Sequence, residues 1–217
     1  MRLRNIPGAR EIVAQDRRCV QSPEETKEGW KKIFSNENPI AVEVGMGKGR
    51  FITDMALKYP DINFVGIERY ESVMIKGLKK LDEMEREAHN LRFIRMDAAE
   101  IGNYFKPGEV SKIYLNFSDP WPKARHAKRR LESREFLKIF STVLCRDGII
   151  EFKTDNRDLF DFALEEIEPA GYELLYMTRN LHSDEAEMKE NVMTEYEEKF
   201  SAKGNPIYKY RIRLSSS

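Results

Sequence analysis

Short apolar runs recur along the chain, separated by longer stretches in which apolar residues return every three or four positions. The runs IAVEVG (40–45), INFVGIE (62–68), LRFIRM (91–96), KIYLNFS (112–118) and GIIEFKT (148–154) are rich in Ile, Val and Phe and mostly bounded by turn residues, which predicts buried strands. Between them, Phe51, Ile52, Met55 and Ala56 share one helical face that Pro60 closes, and Val73, Met74, Gly77, Leu78, Leu81 and Met84 repeat at helical intervals. Ser133 is placed to cap a helix carrying Phe136, Leu137, Phe140 and Leu144, and Leu159, Phe160, Ala163 and Ile167 mark another. Two later runs, YELLYMTR (172–179) and IYKYRIRL (207–214), predict strands that pair antiparallel at one edge, with a charged, partly helical segment between them.

Alternating strands and helices need crossover connections, so the expected fold is α/β: a mainly parallel seven-stranded sheet with an antiparallel edge strand and helices on both faces. Residues 1–37 carry no strand signal. They contain Pro7, Gly8 and Pro23 and the cations Arg2, Arg4, Arg10, Arg17 and Arg18, and read as a basic, mobile arm ahead of a single domain over 38–217.

Composition narrows the chemistry. The 217 residues suffice for one full core. Charged residues make up 34% of the chain and balance to zero, so any nucleic-acid contact must come from a local patch rather than a global field. Cys19 and Cys145 lie far apart and fit no metal-ligand spacing, so neither a disulfide framework nor a metal site is expected. The charged start MRLRNIPGAR does not read as a signal peptide and no apolar run is long enough for a membrane span, so a cytoplasmic protein is expected.

The first strand run ends in VEVGMGKG, with Gly45, Gly47 and Gly49 at the turn into the next helix. Glycines there allow a ligand close to the backbone, although a tight turn with no ligand satisfies the same pattern. Glu68 closes the second run, where an acid can accept bonds from both hydroxyls of a ribose, and Asp97 follows the third. A nicotinamide dinucleotide would want its third glycine one position later, where Arg50 stands. S-adenosylmethionine, with its sulfonium and ammonium, favours carboxylates, and Glu43 adds one; Lys48 and Arg50 suit a phosphate better unless they point elsewhere. S-adenosylmethionine is the preferred reading.

Asp119 ends the fourth run at the same expected edge. Pro120 and Pro122 bias Asp119 and Trp121 toward extended backbone, and Trp121 is expected to pack into the core. Lys123, Arg125, Lys128, Arg129, Arg130 and Arg134 follow, a run that reads either as a solvated helix start or as a phosphate-tracking strip. TEYE, Thr194 to Glu197, has the form of a capping box. His89, His126 and His182 form no triad or metal spacing and are expected at the surface or facing RNA.

SDPWPKARHAKRR, together with EVGMGKG and TEYEEKF, resembles the bacterial tRNA (guanine-N(7)-)-methyltransferase family, within the Rossmann-like methyltransferases that use S-adenosylmethionine, over nearly the whole chain. The resemblance implies cofactor contacts at Glu43, Gly45, Gly47, Glu68, Asp97 and Asp119, with Asp119 also catalytic. It implies substrate contacts at Lys123, Asp155, Thr194, Glu195, Tyr196 and Glu197, and RNA contacts at Arg125, His126, Lys128, Arg129 and Arg130. The implied product is 7-methylguanosine at position 46, in the variable loop of tRNA. Asp155 has a second reading, the cap of the following helix. Competing functions are an exocyclic-amine methyltransferase, since Asp119-Pro120-Trp121 partly matches the Asn/Asp-Pro-Pro-Tyr/Phe motif, an RNA-binding module with a vestigial crevice, and a nucleotide-dependent oxidoreductase.

Overall fold

A computed structural model describes residues 6–215; Arg2 and Arg4 of the expected basic arm lie outside them. The chain opens with helix α1 (Ala9–Gln15), the short strand β1 (Cys19–Val20), and helices α2 (Pro23–Thr26) and α3 (Trp30–Phe34). Strand and helix then alternate through β2 (Ile40–Val44), α4 (Arg50–Lys58), β3 (Asn63–Glu68), α5 (Glu71–Asp82) and β4 (Leu91–Arg95). Helix α6 (Ile101–Tyr104) leads to β5 (Val110–Asn116), α7 (Arg134–Ser141), β6 (Leu144–Thr154) and α8 (Arg157–Ile167). The chain ends with β7 (Tyr172–Thr178), α9 (Glu185–Glu190), α10 (Glu195–Ser201) and β8 (Tyr208–Leu214).

The strands form one eight-stranded sheet in the order β1-β4-β3-β2-β5-β6-β8-β7, rather than the seven strands expected. The extra strand is β1, which pairs parallel to β4 through Cys19 and Val20 alone, too short for any alternation to be read from sequence. The two late runs do pair antiparallel at one side, but the reversed strand β8 lies inside, between β6 and β7 and against both; β7 is the edge.

Each face of the sheet is covered by its own helices. Trp30, Ile101, Leu137, Phe140, Leu159, Phe160, Ala163 and Ile167 pack with Val42, Val65, Ile113 and Phe152 on one side. Val13, Phe51, Ile52, Met55, Met74, Ile75 and Leu78 pack with Ala41, Phe64, Phe93 and Tyr114 on the other. The helical periodicities face the sheet as read, except that Leu144, placed on the helix after Ser133, begins β6 and Met84 lies beyond the end of α5; burial of that apolar area is the main stabilising term. Ser133 caps α7, accepting from the Phe136 amide at 3.5 Å.

The N-terminal residues are packed rather than loose. Trp30 is fully buried, donates from Nε1 to the Tyr104 carbonyl at 2.9 Å and stacks on Phe105. Arg18 is held by Asp16 and Asp82, and Arg17 by Glu87, so two of the arm's cations are tied within the fold.

Because β2 to β6 run parallel, their carboxyl ends share one edge of the sheet. The chain order reverses between β2 and β5, which opens a crevice between their two following loops.

Candidate active site

The loop after β2 forms one wall of that crevice. Gly45, Gly47 and Gly49 have φ of 78°, 57° and 72°, a region that other residues enter only with strain. A Cβ at Gly45 or Gly47 would meet nothing within 4 Å, whereas one at Gly49 would meet Phe93 at 3.2 Å. The first two glycines therefore keep the crevice open and the third seats α4 on the sheet.

Carboxylates gather around this loop. Glu68, at the end of β3, accepts from the amides of Gly47 at 3.1 Å and Tyr70 at 3.0 Å. Burial raises its pKa, and the nearby Asp119 charge adds to that. Glu43 is buried in β2 and accepts from Asn116 Nδ2 at 2.8 Å, while its Oε2 and the Asn116 Oδ1 are buried with no partner. Burial pushes the Glu43 pKa up to about 8 against the pull of Asn116 and Lys153. Asp97, after β4, accepts from the Ala99 amide at 3.1 Å and faces Arg69 at 3.4 Å.

Asp119 is exposed on the loop after β5. The loop departs from the extended conformation expected before Pro122, where Trp121 has φ 40°, and Phe117, two residues ahead of Asp119, has φ 52°. Non-glycine residues in this region cost roughly 1–3 kcal/mol each and tend to mark functional loops. Trp121 is not in the core; it is half-buried, with His126 edge-on at 5.6 Å and the Arg129 guanidinium over its ring at 5.0 Å. Its partners are the basic residues that follow it, which a packing argument from hydrophobicity alone does not foresee.

Helix α10 lies against the glycine loop, joined to it by ion pairs. Thr194 caps the helix, accepting from the Glu197 amide at 2.9 Å, but the Glu197 carboxylate turns inward to other partners, so only the Thr194 half of the expected capping box forms. Glu195 pairs with Lys48 at 2.8 Å and Lys80 at 3.6 Å, and Glu198 pairs with Arg50. The two cations that suited a phosphate in the glycine loop are thereby directed at α10. Tyr196 stays exposed, its ring 4.9 Å from Phe117 and 4.1 Å from Phe200.

Glu197 turns inward and is fully buried, accepting from Lys153 at 2.7 Å and Asn191 at 2.7 Å, with His182 Nε2 at 3.1 Å. His182 is thus engaged with this carboxylate rather than simply facing outward. Lys153 completes its three donors on Asn191 Oδ1 at 3.1 Å and the Val192 carbonyl at 3.0 Å. Burial works to raise the Glu197 pKa, but the Lys153 charge and the donated bonds hold it below the ordinary value.

Asp155 does not cap α8. Asn156 does, accepting from the Leu159 amide at 2.8 Å, which leaves Asp155 half-exposed near Asn205 and the Tyr196 hydroxyl. Lys123, Arg125, Lys128 and Arg129 are exposed on the turn beside Asp119. Arg130 and Arg134 behave differently: Arg130 donates to the Pro120 and Trp121 carbonyls, and Arg134 is bonded to Glu166 at 2.6 Å.

Sequence reasoning overlooked Asn116, Phe117 and Lys153. Asn116 and Phe117 stand inside the quoted strand run, where a polar residue three places before Asp119 was the available signal. Lys153 gave a similar one, a charge two places after Glu151 inside a run read as a buried strand.

Among the described residues, no cluster of His, Cys, Asp or Glu could hold a metal ion and no helix is long and apolar enough to cross a membrane. Both cysteines are free.

A doubly covered sheet with this switch-point crevice, open glycine turn and ring of acids defines a Rossmann-like methyltransferase. Comparison supports that class: a tryptophan-to-alanine variant of the 16S rRNA (adenine(1408)-N(1))-methyltransferase from Catenulisporales acidiphilia, solved with its cosubstrate SAM, superposes with a TM-score of 0.60 at 14% identity, covering 89% of this chain and 92% of that one. The family model described as "Putative methyltransferase" matches residues 37–210. The tRNA (guanine-N(7)-)-methyltransferase of Lachnoclostridium phytofermentans is 53% identical over 209 residues, 96% of each chain. That of Lysinibacillus sphaericus is 50% identical over 210 residues, again 96% of each. The chain belongs to the tRNA (guanine-N(7)-)-methyltransferase family.

Proposed function

We propose that the chain transfers a methyl group from S-adenosylmethionine to N(7) of a guanosine in tRNA, and that this guanosine lies in the variable loop. The observation that carries the reading is the juxtaposition of Asp119 with the acid-lined glycine crevice on one side and an exposed basic turn on the other.

The residues fit the methyl donor. Glu68, already oriented by two amides, is placed to take ribose hydroxyls, and the partnerless Glu43 and Asn116 oxygens suit an ammonium relayed to them. The open faces of Gly45 and Gly47 leave room for the ligand, and Asp97 and Asp119 complete the acidic rim. A pyrophosphate would find the loop cations engaged by α10, which disfavours a dinucleotide.

S-adenosylmethionine supplies a methyl on a positively charged sulfur, ready for displacement by a lone pair. Guanine N(7) carries such a lone pair and no proton, so the protein has to position and stabilise rather than deprotonate. Asp119 stabilises the positive charge that grows on the ring, and Asp155 helps hold the base. Phe117 and Tyr196, packed against each other at 4.9 Å, offer an aromatic surface for the purine. Thr194 and Glu197 fix α10 and so the place of Tyr196; Glu195 acts through Lys48 and Lys80.

In an A-form helix the groove that exposes N(7) is too deep and narrow for side chains, so the target base must be drawn out of its stack. Lys123, Arg125, Lys128 and Arg129, with His126, grip the surrounding phosphates, and the protein works in the cytoplasm as a single domain that includes β1 and the buried Trp30. A tRNA carrying 7-deazaguanosine at the variable-loop position tests the atom directly. It is expected to bind as well as normal tRNA and to accept no label. Equal labelling of both would overturn the assignment.

A further inference from the structure

The strained loop around Asp119 is held by β6 and, on both sides of Asp119, by one short segment. Ahead of Asp119, the Phe117 amide donates to the Lys153 carbonyl at 2.8 Å, and the Ser118 hydroxyl donates to Glu132 Oε1. Behind it, Arg130 Nε donates to the Pro120 carbonyl at 2.9 Å and Arg130 Nη2 to the Trp121 carbonyl at 3.1 Å. Arg130 and Glu132 are separated by a single residue, in the connection between the basic turn 124–129 and α7.

Neither side chain is free for other work. The Arg130 guanidinium lies half-buried over the Phe162 ring at 4.3 Å, with its fork on two successive carbonyls. A lysine ammonium cannot reproduce that planar fork. Glu132 is fully buried, and its second oxygen has no partner. Burial pushes its pKa up to about 7, opposed by the Ser118 bond, so near neutrality both protonation forms are populated, and either can accept from Ser118. Buried acids that serve only packing are easily replaced by apolar residues; this one faces the residue next to Asp119.

We propose that Arg130 and Glu132 are positioning residues for Asp119: together they clamp residues 118–121, and Arg130, although last in the basic run, holds the loop instead of RNA. Strain at Phe117 and Trp121 makes such a clamp necessary, because left-handed backbone persists only where its surroundings over-determine it. The catalytic consequence rests on the reading of Asp119 given above, since a carboxylate displaced by about 1 Å forfeits on the order of 100-fold in rate.

The test compares Arg130→Lys, Arg130→Ala, Glu132→Gln and Glu132→Ala with Arg129→Ala in the full chain. Three quantities are measured: kcat at saturating tRNA, tRNA affinity across salt concentration, and acrylamide quenching of tryptophan fluorescence. Trp30 is fully buried, so quenching reports Trp121. Arg130→Lys and Arg130→Ala are expected to lower kcat by about 30- to 100-fold, with tRNA affinity within about 3-fold and its salt slope unchanged. Arg129→Ala, at a residue assigned to phosphate contact, should instead weaken tRNA binding and reduce the salt slope by about 1. Glu132→Gln still offers Ser118 an oxygen and should keep kcat within about 3-fold, whereas Glu132→Ala should fall with Arg130→Ala.

Arg130→Lys with normal kcat, Arg130→Ala behaving like Arg129→Ala, or the two Glu132 variants falling equally would each overturn the clamp. Quenching separates this from the functional reading. If the parent protein methylated some other position, Trp121 should still become more accessible in Arg130→Lys and Glu132→Ala; unchanged quenching would refute the clamp whatever the reaction.

Discussion

Glu43 sits in the sheet with one oxygen on Asn116 and the other without a partner, and its pKa is pushed up to about 8 by burial. A cationic ligand brought toward it favours the ionised form, so binding below pH 8 should release a proton. The affinity for S-adenosylmethionine is therefore expected to rise by up to about tenfold per pH unit between pH 6 and 8, a dependence that Glu43→Gln flattens. Titration calorimetry in buffers of different ionisation heat measures both the affinity and the proton. The stability effect has the opposite sign. A carboxyl whose folded pKa is raised contributes fully below its ordinary value of 4.5, and that contribution declines as the pH rises toward about 8 for Glu43 and about 7 for Glu132. Thermal midpoints of the ligand-free protein should fall across that interval, and the fall should shrink in Glu43→Gln.

Helix α10 is held by a pair that its amphipathic pattern does not reveal. Lys153, an interior residue of β6, meets the buried Glu197 at 2.7 Å, and the two span 44 positions of chain. Breaking a buried pair leaves an uncompensated charge, so Lys153→Met should cost about 3–5 kcal/mol of stability, read by denaturant titration. Glu197 is held below its ordinary value of 4.5, so the pair's contribution is present above that pH and lost as the pH falls through the lower folded value. The same contact explains the limits of the sequence reading at this scale. Local signals placed the strands, the caps at Ser133 and Thr194 and the glycine turn, because each depends on neighbours in sequence. Lys153 and Trp121 were overlooked or read amiss because their partners are distant or lie on an irregular loop. Asp155 lost its capping role to the adjacent Asn156, a one-residue distinction that composition cannot draw.

For the molecule as a whole, a net charge of zero coexists with one exposed cationic turn beside the crevice. Association with tRNA should therefore depend on a few local phosphate contacts. Replacing Lys123, Arg125, Lys128 and Arg129 together should reduce the slope of log affinity against log salt by about 3, at roughly 0.7–0.9 per contact, with little change in S-adenosylmethionine affinity. Family membership and the edge chemistry converge on guanine N(7), and Asp119 is where the two meet. The most direct test incubates the protein with unmodified tRNA and methyl-labelled S-adenosylmethionine, digests the RNA and identifies the labelled nucleoside by chromatography and mass. The expected result is label in 7-methylguanosine alone, reduced by about 100- to 1000-fold in Asp119→Ala. Label in a methylated adenosine, or undiminished 7-methylguanosine from Asp119→Ala, would contradict it.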